Sequence, residues 1–370
     1  MENMVNRPFF HDIYRNKRVL ITGHTGFKGS WLIAWLERIG AQVAGFSNGI
    51  PTQPSHFELL KRPVKSYWGN IVDYESICQA IHEFQPEIVY HMAAQSLVLP
   101  SYHNPILTYQ TNLMGTLNVY EACREVPSVK VVIGITTDKV YQNQEWSWGY
   151  RENDRLGGYD PYSSSKACVE IMSQSYRSSF LDSGSQQSGR GFLLATVRAG
   201  NVIGGGDWAD YRLIPDIMRA VSQKQPVIIR SPQSVRPWQH VLEPLSGYLW
   251  LGTLLLEEHR HLADAWNFGP VSTQFKRVVE MVDVAQTIWP EIQYRIETQT
   301  ATAHETGCLR LDSSKSLYEL DWRPVWHDEA IERTIGWYRN FYQHQILLTH
   351  QDIDDYCTRA ISDNLCWTRS

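Results

Sequence analysis

Two pairs of ionisable residues in this chain have the types and spacing that proton transfer requires. The first pair is Tyr162 and Lys166, four residues apart in YDPYSSSK, so the two share one face if the stretch is helical. A free tyrosine, with a pKa near ~10, is a poor base at neutral pH, but a neighbouring ammonium group favours its phenolate. The spacing therefore indicates a tyrosine that accepts a proton from a substrate hydroxyl. The alternative is a Tyr/Lys pair on a helix face, which many proteins have.

The second pair is Asp138 and Lys139, which follow Thr137 at the end of an apolar run, residues 129–135. That run predicts a buried strand. In open α/β sheets, ligands bind at the carboxyl ends of the strands, where Thr137 could donate a hydrogen bond. The pair is therefore a candidate for chemistry, and the alternative is an exposed Asp-Lys turn.

A glycine-rich turn near the start of the chain indicates a dinucleotide site. In ITGHTGFKGSW, Gly23, Gly26 and Gly29 follow an apolar run and precede a helical pattern. Glycines leave the backbone free to approach a pyrophosphate, which then lies on the N-terminus of the helix. Tight turns also use glycine for structural reasons alone, but the position between strand and helix favours the binding site.

The adenosine end of this site lacks its usual acid. A carboxylate about twenty residues after the glycines normally binds the ribose hydroxyls, but here the second run ends AGFSNG, with Ser47 in its place. No arginine stands there to bind a 2′-phosphate, although Lys28 is a possible cation, so we expect NAD rather than NADP. Asn70 and Ile71 are candidates for contact with the adenine edge, or else form a loop turn.

Short apolar runs alternate with helical patterns along the chain, at residues 18–22, 42–46, 87–91, 129–135, 192–197 and 265–269. Such alternation predicts an α/β fold with a doubly wound parallel sheet of the Rossmann type and helices on both faces. We expect residues 1–203 and about 235–270 to form the NAD-binding domain. The irregular stretches, about 204–234 and 271–370, should form a smaller, discontinuous lobe that binds substrate.

Composition excludes several classes of protein. The 370 residues carry a formal net charge of −5 without a cluster of Lys and Arg, which argues against nucleic acid as a partner. The longest apolar run, residues 247–256, is too short to span a bilayer and predicts a buried helix. The six cysteines are scattered without the spacing of a zinc site, so we expect reduced thiols, no metal and a cytoplasmic protein away from membranes.

Several longer strings make the chain resemble the extended short-chain dehydrogenase/reductase family. They are TGHTGFKGS, HMAAQS, TNLMGT, TTDK, the Tyr162/Lys166 pair and RAGNVIGGGDW, and together they cover most of the chain. Within that family, Thr-Asp-Lys after this strand resembles the mark of the sugar-nucleotide 4,6-dehydratases. WGYREND, GGGDWADYRLIPD and SVRPWQHVLEPLSGY resemble the members that act on CDP-glucose.

The resemblance implies a lyase reaction, CDP-glucose to CDP-4-keto-6-deoxyglucose, in deoxysugar biosynthesis of the O-antigen type. Oxidation of C4 acidifies the C5 proton, water leaves across C5 and C6, and hydride returns to C6. Asp138 would protonate the departing C6 hydroxyl. Lys139 would take the C5 proton as a neutral amine, or stabilise the developing enolate as a cation.

The glycine turn and the resemblance together imply two sets of binding residues. Expected at the cofactor are Gly23, Thr25, Gly26, Phe27, Gly29, Ser47, Asn70, Ile71, Ala93, Ala94, Gln95, Thr111, Tyr162 and Lys166. Expected at the nucleotide-diphosphate hexose are Ser96, Asn201, Arg236, His304 and Glu305. Of these, Asn201 and Arg236 are expected at the phosphates.

Other functions of the same fold remain open at this stage. A nucleotide-sugar 4-epimerase would use Tyr162 and Lys166 but has no use for an Asp-Lys pair at C5 and C6. A non-catalytic regulator that binds NAD(P) would keep the fold without the activity. The resemblance also implies a homodimer or a tetramer, in which helices carrying Leu113 and Leu117, with Tyr120, and residues 162–172 pair across a two-fold axis as a four-helix bundle.

Overall fold

The computed structural model describes residues 8–181, 191–270, 276–297, 309–326 and 329–369. Its strands are β1 (Arg18–Thr22), β2 (Gln42–Ser47), β3 (Lys65–Trp68), β4 (Ile88–His91), β5 (Val131–Ile135), β6 (Leu193–Ala199), β7 (Val202–Ile203), β8 (Val227–Ile229), β9 (Val235–Arg236), β10 (Gln239–His240), β11 (Ala265–Phe268), β12 (Lys276–Arg277) and β13 (Tyr294–Ile296). Its α-helices are α1 (Phe27–Arg38), α2 (His56–Leu60), α3 (Tyr74–Phe84), α4 (Val98–His103), α5 (Pro105–Tyr109), α6 (Gly115–Arg124), α7 (Pro161–Tyr176), α8 (Leu213–Ser222), α9 (Leu242–Leu256), α10 (Val278–Ile288), α11 (Ser314–Leu320), α12 (Ala330–His344) and α13 (Thr349–Ser362).

Seven parallel strands form the central sheet, in the order β11-β6-β5-β4-β1-β2-β3. Strands β1, β2 and β3 follow one another toward one edge of the sheet. The chain then crosses to the other side of β1, where β4, β5, β6 and β11 follow one another toward the opposite edge. The strand order thus reverses between β1 and β4, which is where doubly wound sheets bind ligands. The predicted fold class is confirmed, and each of the six apolar runs supplies one strand.

Helices cover both faces of the sheet, which explains why most of its strands are apolar rather than alternating. In β1, the side chains of Val19 and Ile21 enter one core and that of Leu20 enters the other. Helices α1, α9, α12 and α13 contribute to the first core, and α3 and α6 to the second. Helix α9 contains the apolar run predicted as a buried helix, and nearly all of its residues are buried.

The helical stretch from α5 to α6 contains one residue more than a regular α-helix would have. Between α5 and α6 the chain makes a π-helical turn, Gln110–Met114, without leaving the helical conformation. Within this turn Asn112 is fully buried; its Nδ2 donates to Ser165 Oγ on α7 (2.8 Å) and its Oδ1 accepts from the Gln95 backbone N (2.8 Å). π turns are often found at functional sites. Here the turn connects α7 to the loop after β4.

The segments after β6 form three small two-stranded sheets beside the central one. They are β7 with β10, β8 with β13, and β9 with β12. Helix α13 packs against α1, and Trp367 stacks on Phe10 at the far side of the first core. The division of the chain into two domains stays a prediction. None of the helices within the described ranges is long and apolar enough to cross a membrane.

Candidate active site

A cavity of about 1780 Å³ opens along the carboxyl edge of the central sheet and continues toward α8, β8 and β9. Most of the residues predicted from the sequence line it. They are Gly23, Thr25, Gly26, Phe27, Gly29, Ser47, Asn70, Ile71, Ala93, Ala94, Ser96, Thr111, Thr137, Asp138, Lys139, Tyr162, Lys166, Asn201 and Arg236. Residues far apart in the sequence thus meet in one space.

The glycine turn between β1 and α1 has no room for side chains. Gly23 has φ +73°, and a Cβ there would lie 2.8 Å from the Ala93 backbone N. At Gly29 a Cβ would lie 2.4 Å from the Gly23 carbonyl O. Helix α1 begins after Gly26 without a side-chain cap, so the N–H groups of its first turn are available to an anion. The turn therefore fits a pyrophosphate held by backbone alone.

A buried histidine takes the space near Ser47. His24 Nδ1 lies 2.9 Å from Ser47 Oγ, and His24 Nε2 lies 2.9 Å from Ser66 Oγ. Burial lowers the pKa of His24 to about 4, so the ring is neutral at physiological pH. Gly45 on β2 makes this arrangement possible, because a Cβ there would lie 2.0 Å from the imidazole. The adenosine end thus offers hydroxyls instead of a carboxylate.

Tyr162 and Lys166 lie where α7 passes the end of β5. Asp160 caps α7, accepting from the Ser163 N (2.9 Å), and Pro161 occupies its first turn. Tyr162 and Lys166 are both buried, and Lys166 Nζ donates to the Ile135 carbonyl O at 2.9 Å. The two side chains are therefore positioned by a helix on one side and a strand end on the other.

The electrostatic surroundings of this pair oppose its charged forms. Burial raises the pKa of Tyr162 to about 12, while the Thr137 hydroxyl works in the opposite direction. Burial lowers the pKa of Lys166 to about 8, against the charge of Glu170. A phenolate at Tyr162 accordingly requires more positive charge than the protein supplies, and an oxidised nicotinamide would provide it.

Asp138 has one occupied and one open carboxyl oxygen. Its Oδ1 accepts from Thr137 Oγ1 (3.0 Å) and lies 3.8 Å from Lys139 Nζ. Its Oδ2 is buried and has no hydrogen-bond partner within the described residues. A Cβ on Gly200 would lie 3.2 Å from Oδ2, so this glycine leaves space in front of the oxygen. The open oxygen is therefore available to a ligand group.

Two cations for which the sequence predicted no place near Tyr162 also line the cavity. Lys28 lines the cavity, and the charges of Asp138 and Lys166 both act on its ammonium group. Arg212 forms an ion pair with Asp207 (Nη1 to Oδ2, 2.8 Å), and its charge acts on Tyr162. The string GGGDWADYRLIPD contained Arg212, but nothing in its spacing indicated which way the side chain turns.

Gln95 does not line the cavity. Its side-chain amide donates to the Leu97 carbonyl O and to Thr108 Oγ1, both at 3.0 Å, and its Oε1 accepts from the Leu97 N (2.6 Å). This side chain thus holds the loop after β4 against α5 rather than facing a cofactor. His304 and Glu305 lie outside the described residues.

The glycine turn, the reversed strand order and the Tyr/Lys pair together define an extended short-chain dehydrogenase/reductase. The family model for GDP-mannose 4,6 dehydratase matches residues 20–334, and the chain belongs to that family. The predicted resemblance is thereby confirmed.

Individual relatives include dehydratases and epimerases. The chain is 47% identical to the CDP-glucose 4,6-dehydratase of Salmonella typhimurium, over 95% of this chain and 98% of the relative. It is 24% identical to the UDP-glucose 4-epimerase of Mycoplasma pneumoniae, over 88% and 97% of the two chains.

Solved structures share the fold at low identity. A dTDP-glucose 4,6-dehydratase of Streptomyces venezuelae with NAD bound superimposes with a TM-score of 0.72 at 20% identity, covering 87% of this chain and 97% of the other. The UDP-glucose 4-epimerase of Thermus thermophilus, in complex with NAD, gives 0.73 at 24% identity, covering 87% and 99%.

Proposed function

We propose that this protein converts CDP-glucose to CDP-4-keto-6-deoxyglucose as an NAD-dependent 4,6-dehydratase. The observation that carries the proposal is that the open Asp138 oxygen and the Lys139 side chain lie with the Tyr162/Lys166 pair in one cavity. A relative with this activity, 47% identical over nearly the whole chain, supports it further.

NAD is the cofactor, and the glycine turn fits it. Gly23 and Gly29 leave room for a pyrophosphate where any Cβ would clash, and the uncapped start of α1 offers N–H groups. When bound, NAD supplies a hydride acceptor for C4 and returns the hydride at C6.

The oxidation of C4 depends on Tyr162 and Lys166. Tyr162 takes the proton of the C4 hydroxyl as general base, and the Lys166 ammonium stabilises its phenolate. Lys166 keeps this position because its Nζ is held by the Ile135 carbonyl, 2.9 Å away. Thr137 lies beside the phenol and favours its ionised form.

The elimination of water depends on Asp138 and Lys139. Asp138, through its open oxygen, gives a proton to the departing C6 hydroxyl, and Lys139, as a neutral amine, takes the acidified proton from C5. Thr137 orients the Asp138 carboxyl by donating to its other oxygen. A 4-epimerase would find no use for these two groups, and a non-catalytic regulator would need neither pair.

Cations on the far side of the cavity suit a nucleoside diphosphate. Arg236 on β9 and Asn201 are proposed at the phosphates, where a guanidinium can bind two oxygens at once. Arg212 and Lys28 add positive charge nearer the hexose. The cavity between Gly23 and Arg236 is continuous, so cofactor and substrate can meet end to end within it.

The direct test is to incubate the protein and NAD with CDP-, GDP-, UDP- and dTDP-glucose and analyse the products by mass spectrometry. Loss of one water with formation of a 4-keto sugar from CDP-glucose is expected. A product of unchanged mass with inverted C4 would instead establish an epimerase, and no conversion of any substrate would refute the proposal.

We further propose a homodimer through the helices beside the site. Helices α5 and α7 pack side by side, and large apolar side chains project from this surface. They are Ile106 (71% exposed), Leu107, Met114 and Ile171. Tyr120, in contrast, is buried in the protein's own second core. A second copy of the same surface would cover these side chains as a four-helix bundle.

A further inference from the structure

A buried ion pair lies next to the reaction centre, which consists of Asp138, Lys139, Tyr162 and Lys166. Glu170 and Arg198 are each 2% exposed, and Arg198 Nη2 donates to Glu170 Oε2 at 2.9 Å. Glu170 also accepts from Thr196 Oγ1 (2.7 Å) and from the hydroxyl of Thr136. Arg198 Nη1 donates to the Tyr141 hydroxyl at 2.7 Å. The two charges therefore compensate each other in a region shielded from bulk water.

This ion pair is connected to the reaction centre through three successive residues of the chain, 135–137. Thr136, which donates to Glu170, directly follows Ile135, whose carbonyl O accepts from Lys166 Nζ. The next residue is Thr137, which orients Asp138. Glu170 thus holds the one stretch of backbone on which both halves of the proposed chemistry depend.

Glu170 also continues the row of reactive side chains along α7. Tyr162, Lys166 and Glu170 are spaced by four residues and share one helix face. None of the proposed steps gives Glu170 a proton to move, and it does not line the cavity. Its place in the row is therefore that of a supporting charge.

We propose that Glu170, held from behind by its ion pair with Arg198, is a positioning residue that keeps Lys166 in place and charged for the oxidation step. The inference rests on the proposed function, since it assigns Glu170 a part in that reaction. A buried carboxylate four residues from a buried ammonium stabilises the charged form of that ammonium.

Other charges around Lys166 do not replace Glu170. Lys28 from α1 is a cation and opposes the ammonium, and the guanidinium of Arg198 on β6 is hydrogen-bonded to Glu170. His91 on β4 has its pKa lowered to about 3 by burial, so it is neutral, with its nitrogens against Thr22 and Thr116. Asp138 at the end of β5 and the phenol of Tyr162 are assigned to the substrate in the proposed reaction. Glu170 is the charge within the described residues that raises the pKa of Lys166.

The sign of the effect follows from these charges. Burial lowers the pKa of Lys166 to about 8, and Glu170 opposes that decrease. Glu170→Gln keeps the shape of the side chain and removes the charge, so the pKa of Lys166 falls further. Activity that depends on the Lys166 ammonium is then lost at lower pH.

The experiment is the pH dependence of kcat at saturating CDP-glucose and NAD for the wild type and Glu170→Gln. The alkaline limb of the wild type should lie near pH 8, and that of Glu170→Gln lower by about one unit, the scale for loss of one close opposite charge. KM for CDP-glucose should stay within about twofold, because Glu170 does not meet the substrate.

Two further variants separate positioning from stability. Glu243→Gln removes another buried carboxylate, one that accepts from Val325 N (2.9 Å), Trp326 N (2.6 Å) and Tyr356 OH (2.7 Å) away from the cavity. It should lower Tm and leave the alkaline limb where it is. The double variant Glu170→Gln/Arg198→Met removes both charges of the pair, so it should regain Tm relative to Glu170→Gln but keep the lowered limb.

Each outcome bears on the inference. One outcome is that Glu170→Gln and the double variant lose Tm, or lose activity equally at every pH, while the alkaline limb of kcat stays at the pH of the wild type. In that case Glu170 is structural only and the inference is refuted. If the single variant does not fold, the double variant alone decides. Failure of the wild type to convert CDP-glucose would refute the proposed function itself, which is a different result.

Discussion

Replacing Asp138 by Asn and Lys139 by Met should stop the reaction halfway. Both changes leave Tyr162 and Lys166 intact, so C4 oxidation should proceed and the hydride should remain on the cofactor. Without a proton donor at C6 and a group at C5, water cannot leave, and the hydride has no place to return. Bound NAD should become reduced and stay reduced.

The loss of elimination should be large, while the effect of the two substitutions on stability should be small. A positioned acid or base contributes about 10²–10⁴-fold, so elimination should slow by at least ~10²-fold. Asparagine keeps an oxygen that can accept from Thr137, and the lost Asp138–Lys139 ion pair has a separation of 3.8 Å with Lys139 34% exposed. The double variant removes both charges together, so no buried charge is left unpaired and the fold should persist.

The assay mixes enzyme, NAD and saturating CDP-glucose and records the absorbance of reduced nicotinamide. One equivalent of NADH per site is expected in the double variant and no net NADH in the wild type. Incorporation of deuterium at C5 from heavy water provides a second readout, which should be lost with elimination. Saturating substrate offsets any weaker binding caused by removing Lys139.

The reasoning is refuted if the double variant releases the 4-keto-6-deoxy sugar at the normal rate. Asp138 and Lys139 would then be an ordinary turn at a strand end. The double variant is the sharper probe, because residues that act as one unit are strongly non-additive.

Further predictions test the other parts of the site. Tyr162→Phe should slow C4 oxidation at least ~10²-fold with Tm little changed, and near-normal turnover would contradict its role as base. Gly29→Ala should abolish NAD binding in calorimetry, because the new Cβ would lie 2.4 Å from a backbone oxygen; unchanged affinity would argue against the proposed pyrophosphate site. Since Ser47 stands where a ribose-binding acid is usual, the protein should lose NAD on extensive dialysis and regain activity when NAD is added back. Full NAD content after dialysis would speak against this. Ile106→Asp should convert the proposed dimer to a monomer in sedimentation, while a wild type already monomeric at working concentration would exclude the proposed interface.

The central sheet could be predicted because its strands are buried on both faces. Residues 19–21 and 131–135, for example, are apolar without alternation, and such runs leave few other structures possible. Strand β3 was missed because Lys65–Trp68 lies at an exposed edge and has no apolar run to mark it. The order of the strands also depends on contacts between distant segments, which local patterns do not contain.

The site could be predicted only where a local motif carries the chemistry. The glycine turn and the Tyr162/Lys166 spacing are of this kind, because the spacing itself places the groups. Lys28 and Arg212 belong to no such motif, since their direction depends on how α1 and the segment before α8 fold over the cavity. Gln95 was predicted at the cofactor because it belongs to the string HMAAQS. Its side chain instead forms hydrogen bonds that hold the loop after β4.

The π turn at Gln110–Met114 has a consequence for how this protein can evolve. One residue corresponds to roughly 100° of helix rotation, so the extra residue sets Thr111 toward the cavity while Met114 faces outward. Deleting a single residue here would turn α6 by that angle relative to α5, so Val119 and Tyr120 would no longer point into the second core while Thr111 faces the cavity. Natural variants of this stretch should therefore differ by substitution at constant length, even where neighbouring loops have gained or lost residues.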